Sequence, residues 1–344
     1  MIEGLSDLRG PDLKGADRIP EERGLARDGV RLLVTRGTDQ SGHWFRDLPD
    51  LLEPSDLLVV NESATLPASL PATGRVGPFR LHLSTRYAAD LWVAESRWDF
   101  DRPGPVPLPL GESFDLAGLS ARRVSPFPGA PRLSFYQISG DLPGAMARSG
   151  RPIRYGYLAH EYPLETYQTV FSRIPGSAEM PSAGRPFTPA VVGRLEGSGI
   201  RIAPILLHTG VSSLELDPAH PEEIPIYPEP FEVPSGTADL VNRTRSEGGR
   251  VIAVGTTVVR ALESAVDGER VRPVRGFTRL YLRPGRAARI VDGLLTGFHE
   301  ARTTHLELLA SVAGVEPLRL AYRAAVDGGY LWHEFGDSHL ILPN

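Results

Sequence analysis

The 344-residue chain contains no cysteine. That absence excludes disulfides, thiol nucleophiles and cysteine-ligated zinc or iron–sulfur centres. It also removes any need for an oxidising compartment. Long apolar runs are missing as well. No stretch reaches the roughly 18 consecutive apolar residues of a membrane span, and the N-terminal region has no apolar core of signal-peptide type. The chain therefore reads as soluble and cytoplasmic, with no membrane partner. An excess of positive charge is lacking too. There are 37 basic residues against 42 acidic ones, a net charge of −5. An extensive nucleic-acid footprint ordinarily shows as a basic surplus, so any such contact has to come from a local basic face. Lysine occurs once, at Lys14, an arginine-heavy usage that fits GC-rich coding and has no functional reading. Neither GxGxxG nor GxxxxGK[ST] is present, which leaves a Rossmann or P-loop site without support. No HxH, HExxH or acidic-loop spacing occurs either, so no metal is expected.

What is present is ordinary globular material. Hydrophobic residues are 41% and charged residues 23%, and the length suits two domains or one large one. One stretch organises the rest. Val251–Val254 is a short apolar run of buried-strand type. Gly255-Thr256-Thr257 follows, and then Val258, Val259, Leu262 and Val266 recur at helical spacing. Thr256 or Thr257 is a candidate N-cap. A strand, a glycine turn and a helix start place backbone N–H groups at the end of a sheet, where a carboxylate, phosphate or ribose hydroxyl can bind. An ordinary strand-to-helix turn with nothing bound has the same local pattern.

Other segments add strands and helices. Leu57–Val60 reads as a buried strand and Ala203–His208 as a strand. From about Pro71 to Gly150 the texture changes to short period-two runs, Phe79–Ser84, Asp90–Ala94 and Arg132–Tyr136, separated by turn signals. They suggest a small β-barrel, with Trp92 and Trp98 in its core or rim rather than stacking on bases. Residues 189–200 and 235–248 read as helices, and Thr303-Thr304 as the cap of another that carries Leu306, Leu309 and Ala313.

The run Val251-Ile-Ala-Val-Gly-Thr-Thr-Val-Val-Arg-Ala-Leu-Glu-Ser264 resembles the Val-Ile-Ala-Val-Gly-Thr-Thr-x-Val-Arg-x-Leu-Glu-Ser signature of the S-adenosylmethionine:tRNA ribosyltransferase-isomerase family of queuosine biosynthesis. Further matches follow in order over residues 27–344. They include Arg27–Val34, Trp44–Leu52, Asp56–Asn61, Tyr167–Val170, Pro181–Thr188, Leu207–Gly210, Gly276–Gly285, Ile290–His299 and Phe335–Ile341. The resemblance implies an α/β main domain (residues 1–70 and 151–344) with an inserted small antiparallel β-barrel domain (71–150).

The resemblance also implies a chemistry. S-adenosylmethionine, the co-substrate, donates its ribosyl group. The sulfonium acidifies the 5′ carbon, a base removes the proton, the ribose rearranges, and adenine and methionine leave. The acceptor is a 7-aminomethyl-7-deazaguanine in tRNA, and the product is epoxyqueuosine. Glu229, Asp292 and Asp337 are candidates for the cation, and His208 and His299 for proton transfer. Asn61, Ser182, Gly184, Thr188, Gly255, Thr256, Thr257 and Arg260 are candidate substrate-binding residues. For Arg260, an i, i+3 pair with Glu263 is the competing structural reading.

Some family positions differ in this chain. Ala64 and Ser69 stand where the family has arginines, Arg185-Pro186 where it has Leu-His, Ser212-Ser213-Leu214 where it has Gly-Thr-Phe, and Gly297 where it has asparagine. Arginine is the usual bidentate grip on phosphate and histidine the usual proton carrier near neutral pH. These changes leave two alternatives open beside the tRNA reaction. One is the same donor chemistry on a small-molecule acceptor, and the other a non-catalytic adenosyl- or RNA-binding relic. The sequence does not give the oligomeric state.

Overall fold

Two bodies of strands organise the protein, which is described by a computed structural model over residues 14–99, 104–211, 227–300 and 303–343. In chain order the elements begin with β1 (Arg31–Arg36), β2 (Asp39–Trp44), the one-turn α1 (Leu48–Leu51), β3 (Leu57–Asn61) and the short β4 (Ser63–Thr65). Six strands then run consecutively: β5 (Ser69–Gly74), β6 (Gly77–Arg86), β7 (Leu91–Arg97), β8 (Ser113–Leu116), β9 (Leu119–Pro126) and β10 (Leu133–Ser139). After α2 (Leu142–Ser149) come β11 (Ile174–Ser177), α3 (Pro189–Gly197), β12 (Arg201–Leu207), β13 (Glu229–Val233), α4 (Ser235–Ser246), β14 (Val251–Val254) and α5 (Thr256–Ser264). The chain ends with the hairpin β15 (Val266–Asp267) and β16 (Arg270–Val271), then β17 (Val274–Thr278), β18 (Gly293–Gly297), α6 (Thr304–Ala313), α7 (Val315–Asp327) and β19 (Ser338–Leu342).

Among the described residues the main body is a nine-stranded mixed sheet of order β17-β13-β12-β3-β14-β18-β19-β1-β2. Its centre, β12-β3-β14-β18, is parallel throughout. Parallel strands are covered on both faces, so they read as continuous apolar runs. Leu57–Val60 and Val251–Val254 are accordingly buried at every position. One face packs against α4, α5, α6 and α7 through Val241, Val258, Leu262, Leu309 and Leu318. The other face packs against α1 and α3 through Leu48, Val191 and Leu195.

The six consecutive strands β5 to β10 close into an antiparallel barrel of order β10-β7-β6-β5-β8-β9. Its core holds Leu70, Leu81, Leu83, Ala94, Leu116 and Tyr136, the inward residues of period-two strands. Trp92 is in that core and Trp98 packs against it. Arg102 and Pro103, which begin the Pro/Gly-rich loop, lie outside the described residues, as do Ser212-Ser213-Leu214. Among the described residues no helix is long and apolar enough to cross a membrane.

The topology positions one edge. Strands β3, β12, β14 and β18 run the same way, so their carboxyl ends (Asn61, Leu207, Val254 and Gly297) lie along one side of the sheet. β19 is antiparallel to β18, so the loop that enters β19 also arrives on that side. Ligands of open α/β sheets gather at this carboxyl edge.

Candidate active site

A cavity of about 360 Å³ opens at the carboxyl edge, within the size range of small-molecule sites. β14 delivers Gly255, Thr256 and Thr257 to it, and β18 delivers Thr296 to His299. Segments from elsewhere complete the wall: Tyr155 and Tyr157, Glu179 to Ala183, Thr303 and His305, and His333-Glu334 before β19.

The turn at the strand end depends on a glycine. Gly255 has φ +95° and ψ 156° and is itself the N-cap of α5, with no side-chain cap. L-residues rarely adopt that backbone, and a Cβ would also press against Ala183. The expected threonine cap is therefore absent: Thr256 and Thr257 are the first two helical residues and face the cavity instead of folding back onto the helix. Asn61 supports the turn from β3. Its Nδ2 donates to Leu207 O at 2.8 Å and to Thr257 Oγ1 at 3.3 Å, and its Oδ1 accepts from Ser63 N and Leu207 N. Asn61 is thus a buried clamp between β3, β12 and α5 behind the wall.

Burial pushes two of the histidines on the wall far down. His299 and His305 stack with ring centres 4.9 Å apart and nearly parallel planes. Burial pushes His305 down to about 4, helped by the nearby Arg260 charge. His299 is pushed well below the ordinary histidine range by burial and then by His305, His333 and His339. Its Nε2 is 3.1 Å from Thr296 Oγ1, and Tyr322 Oη accepts from its backbone N–H at 3.0 Å.

Opposite lies an aromatic stack. Tyr157 sits face to face with Tyr155 at 5.8 Å and with His333 at 4.1 Å. His333 has φ +71°, a left-handed backbone that a non-glycine residue pays to adopt. Its Nε2 is 3.3 Å from Glu300 Oε1. The Tyr155 hydroxyl donates to Glu179. The Glu334 carboxyl group is pushed up to about 7 by burial, against the lowering effects of the neighbouring Tyr157 and Arg185.

Of the residues expected from sequence, Ser182, Gly255, Thr256, Thr257 and His299 share this cavity. The others lie elsewhere. Asp292 precedes β18, at the amino end of the sheet, where its Oδ2 accepts from Val251 N at 2.8 Å. Five residues of strand, about 16 Å, separate it from Gly297. Asp337 is buried and fully engaged. Oδ1 accepts from Arg31 N, and Oδ2 accepts from Arg31 Nε and Nη2 and from Leu331 N, at 2.7 to 3.1 Å. Thr188 caps α3 and donates to Asp28 Oδ2. Gly184 packs against Thr169 and Phe171 behind Ser182. Glu229 forms a buried ion pair with Arg260, and its Oε1 accepts from Gly210 N at 2.7 Å. The i, i+3 pair of Arg260 with Glu263, the competing structural reading, does not form. Glu263 instead accepts from the backbone N–H groups of Arg289, Ile290 and Val291.

His208 also lies off the cavity wall. Its Nδ1 is 2.7 Å from Ser63 Oγ, burial pushes it down to about 4, and its ring fills the space over Gly176. A Cβ at Gly176 would collide with three ring atoms. Gly176→Ala is expected to cost about 1–3 kcal/mol, as overpacking of a fixed side chain does. Thermal denaturation against the wild type checks it, and an unchanged melting temperature would mean that the ring is free to move.

The family model described as "Queuosine biosynthesis protein" matches residues 15–341. The chain belongs to that family. It is 39% identical over 336 residues to the S-adenosylmethionine:tRNA ribosyltransferase-isomerase of Thermus thermophilus, covering 95% of this chain and 96% of that one. The protein of the same name from Deinococcus radiodurans is 36% identical, over 94% and 92% of the two chains. A crystal structure of S-adenosylmethionine tRNA ribosyltransferase from Thermotoga maritima superposes with a TM-score of 0.51 at 27% identity, covering 96% of this chain and all of that one.

Two of the positions at which this member of the queuosine biosynthesis family differs from the signature, Ser69 and Arg185, have structural partners of their own. Ser69 Oγ accepts from Arg80 Nε at 2.7 Å and its carbonyl from Arg80 Nη2, so a guanidinium stands beside the missing one. Arg185 is buried. Its Nη2 pairs with Glu21 at 3.1 Å, Nε donates to Thr166 O, and the guanidinium lies 4.9 Å over the Phe335 ring. Tyr155, Tyr157, Glu179, His305, His333 and Glu334 were not expected from sequence as site residues. The one signal available for them was ionisable and aromatic side chains beside predicted strand and helix ends.

Proposed function

We propose that the chain is an S-adenosylmethionine:tRNA ribosyltransferase-isomerase. It transfers and isomerises the ribosyl portion of S-adenosylmethionine onto a 7-aminomethyl-7-deazaguanine in tRNA, and releases adenine and methionine to leave epoxyqueuosine. The observation that carries this reading is the near-full-length identity to relatives of that name, joined to a cavity at the carboxyl edge built from the matched Gly255–Thr257 and Thr296–His299 segments.

The wall offers what the co-substrate needs. The uncapped start of α5 presents backbone N–H groups and two hydroxyls, suited to the methionine carboxylate. The Tyr155–Tyr157–His333 stack is a platform for adenine. Ser182 and Thr296 supply hydroxyls for the ribose, and Glu179 supplies negative charge for the sulfonium. Asn61, Glu229 and Arg260 hold the turn from behind, and His299 and His305 form a neutral, polarisable wall. Incubating the enzyme with S-adenosylmethionine, with and without tRNA bearing the aminomethyl-deazaguanine, tests the reading by mass spectrometry. Adenine and methionine are expected in equal amounts and only with the modified tRNA. No release with that tRNA, or equal release without it, would refute the assignment.

A further inference from the structure

Resting on that reading, we propose that Glu334 is the general base that removes the 5′ proton from the bound sulfonium nucleoside. The carboxylate lines the cavity. Among the described residues nothing hydrogen-bonds to its buried Oε1, and the Tyr157 side chain lies beside the carboxyl group. A buried carboxylate oxygen without a partner is costly, and it stands where a substrate C–H can come to it. The backbone strain at His333 falls on the residue immediately before, and strain of this kind gathers at functional positions.

Competing groups are engaged or chemically unsuited. His299 Nε2 faces Thr296 Oγ1, and the Glu179 carboxylate accepts from Tyr155. Glu300 Oε1 stands 3.3 Å from His333 Nε2 on a side chain that is 62% exposed, where water solvates it. Pro186 offers no proton-transfer group. In the step, the C5′–H bond breaks and a Glu334 O–H bond forms. The electron pair stays on C5′, stabilised by the adjacent sulfonium as an ylide, and nothing is oxidised or reduced. A carboxylate held near 7 is matched to this work at neutral pH. The groups that face it are Tyr157, Tyr167 and His333 on its flanks and Arg185 across Phe335. His299 is pushed well below the ordinary histidine range and His305 down to about 4, while burial lowers His333 against the raising effect of Glu300.

The test compares Glu334→Gln and Glu334→Asp with wild type, reading adenine release with modified tRNA and, separately, S-adenosylmethionine affinity. Glutamine keeps the shape without the charge, and the melting temperature verifies folding. Glu334→Gln is expected to lower kcat by about 100- to 10,000-fold with affinity unchanged, and Glu334→Asp to recover part of the rate. In wild type, kcat/KM rises with pH through about 7 as the carboxylate deprotonates; in the Gln variant that limb disappears. Wild-type turnover in Glu334→Gln overturns the proposal. A loss confined to S-adenosylmethionine affinity makes the residue a counter-charge and overturns it equally. If wild type itself releases no adenine, the reaction assignment fails first and the base falls with it.

Discussion

Asp337→Ala is expected to destabilise the protein by about 3 kcal/mol and to lower adenine release by at least about 100-fold. The first figure comes from what the carboxylate satisfies. It accepts from the backbone N–H groups of Arg31 and Leu331, and leaving a buried amide without a partner costs about 1–3 kcal/mol each. The Arg31 guanidinium keeps its bonds to the Gly328 and Gly329 carbonyls and remains a third exposed, so it adds little. The second figure comes from position. Asp337 ties β1 to the loop from Leu331 to Gly336, and that loop carries His333 and Glu334 into the cavity. A misplacement of about 1 Å at a reacting group costs on the order of 100-fold in rate. Chemical denaturation and the adenine assay read the two effects separately. A variant that loses stability but keeps full kcat would show that the loop holds its shape without this anchor. Asp337 thus matters to the site without touching it.

That distinction explains how much was legible in the sequence. Strands β3 and β14 were visible because both of their faces are covered, which turns them into unbroken apolar runs. The barrel was visible because its strands bury one face and alternate. The cap of α5 was misread because a threonine cap is the common local solution, whereas a glycine at φ +95° is a feature of the assembled turn. At the site, Gly255–Thr257 and His299 could be read because each directly follows a strand of the same parallel set. Asp292 and His299 sit in one matched segment, but a strand lies between them, and sequence proximity does not say which end of a sheet a residue occupies. Tyr157, His305 and Glu334 come from three separate segments that only the tertiary fold brings together, so no single window of sequence contained them. Arg185 reads as an intrusion into a familiar pattern. In the fold it is a buried cation with its own partner, Glu21.

Glu229→Ala is expected to cost about 3–5 kcal/mol, the range for removing one partner of a buried ion pair. Glu229 is 2% exposed and the Arg260 side chain 13%. Two of the guanidinium nitrogens, Nε and Nη2, already lack a partner among the described residues, so losing Glu229 leaves a buried charge with nothing to balance it, and Gly210 N loses its acceptor as well. Glu229→Leu combined with Arg260→Leu removes both charges. It is expected to recover most of the loss, because an apolar pair of similar volume commonly equals or exceeds a buried ion pair in stability; the Gly210 amide remains the residual deficit. Urea denaturation of the single and double variants closes the cycle. The same variants separate two roles for Arg260. It stands one turn after Thr256-Thr257 on α5, so a holding role predicts that the double variant regains turnover along with stability. A guanidinium that grips the co-substrate predicts a stable double variant whose affinity for S-adenosylmethionine stays low. The pair with Glu229, neither member of which lines the cavity, favours the first outcome.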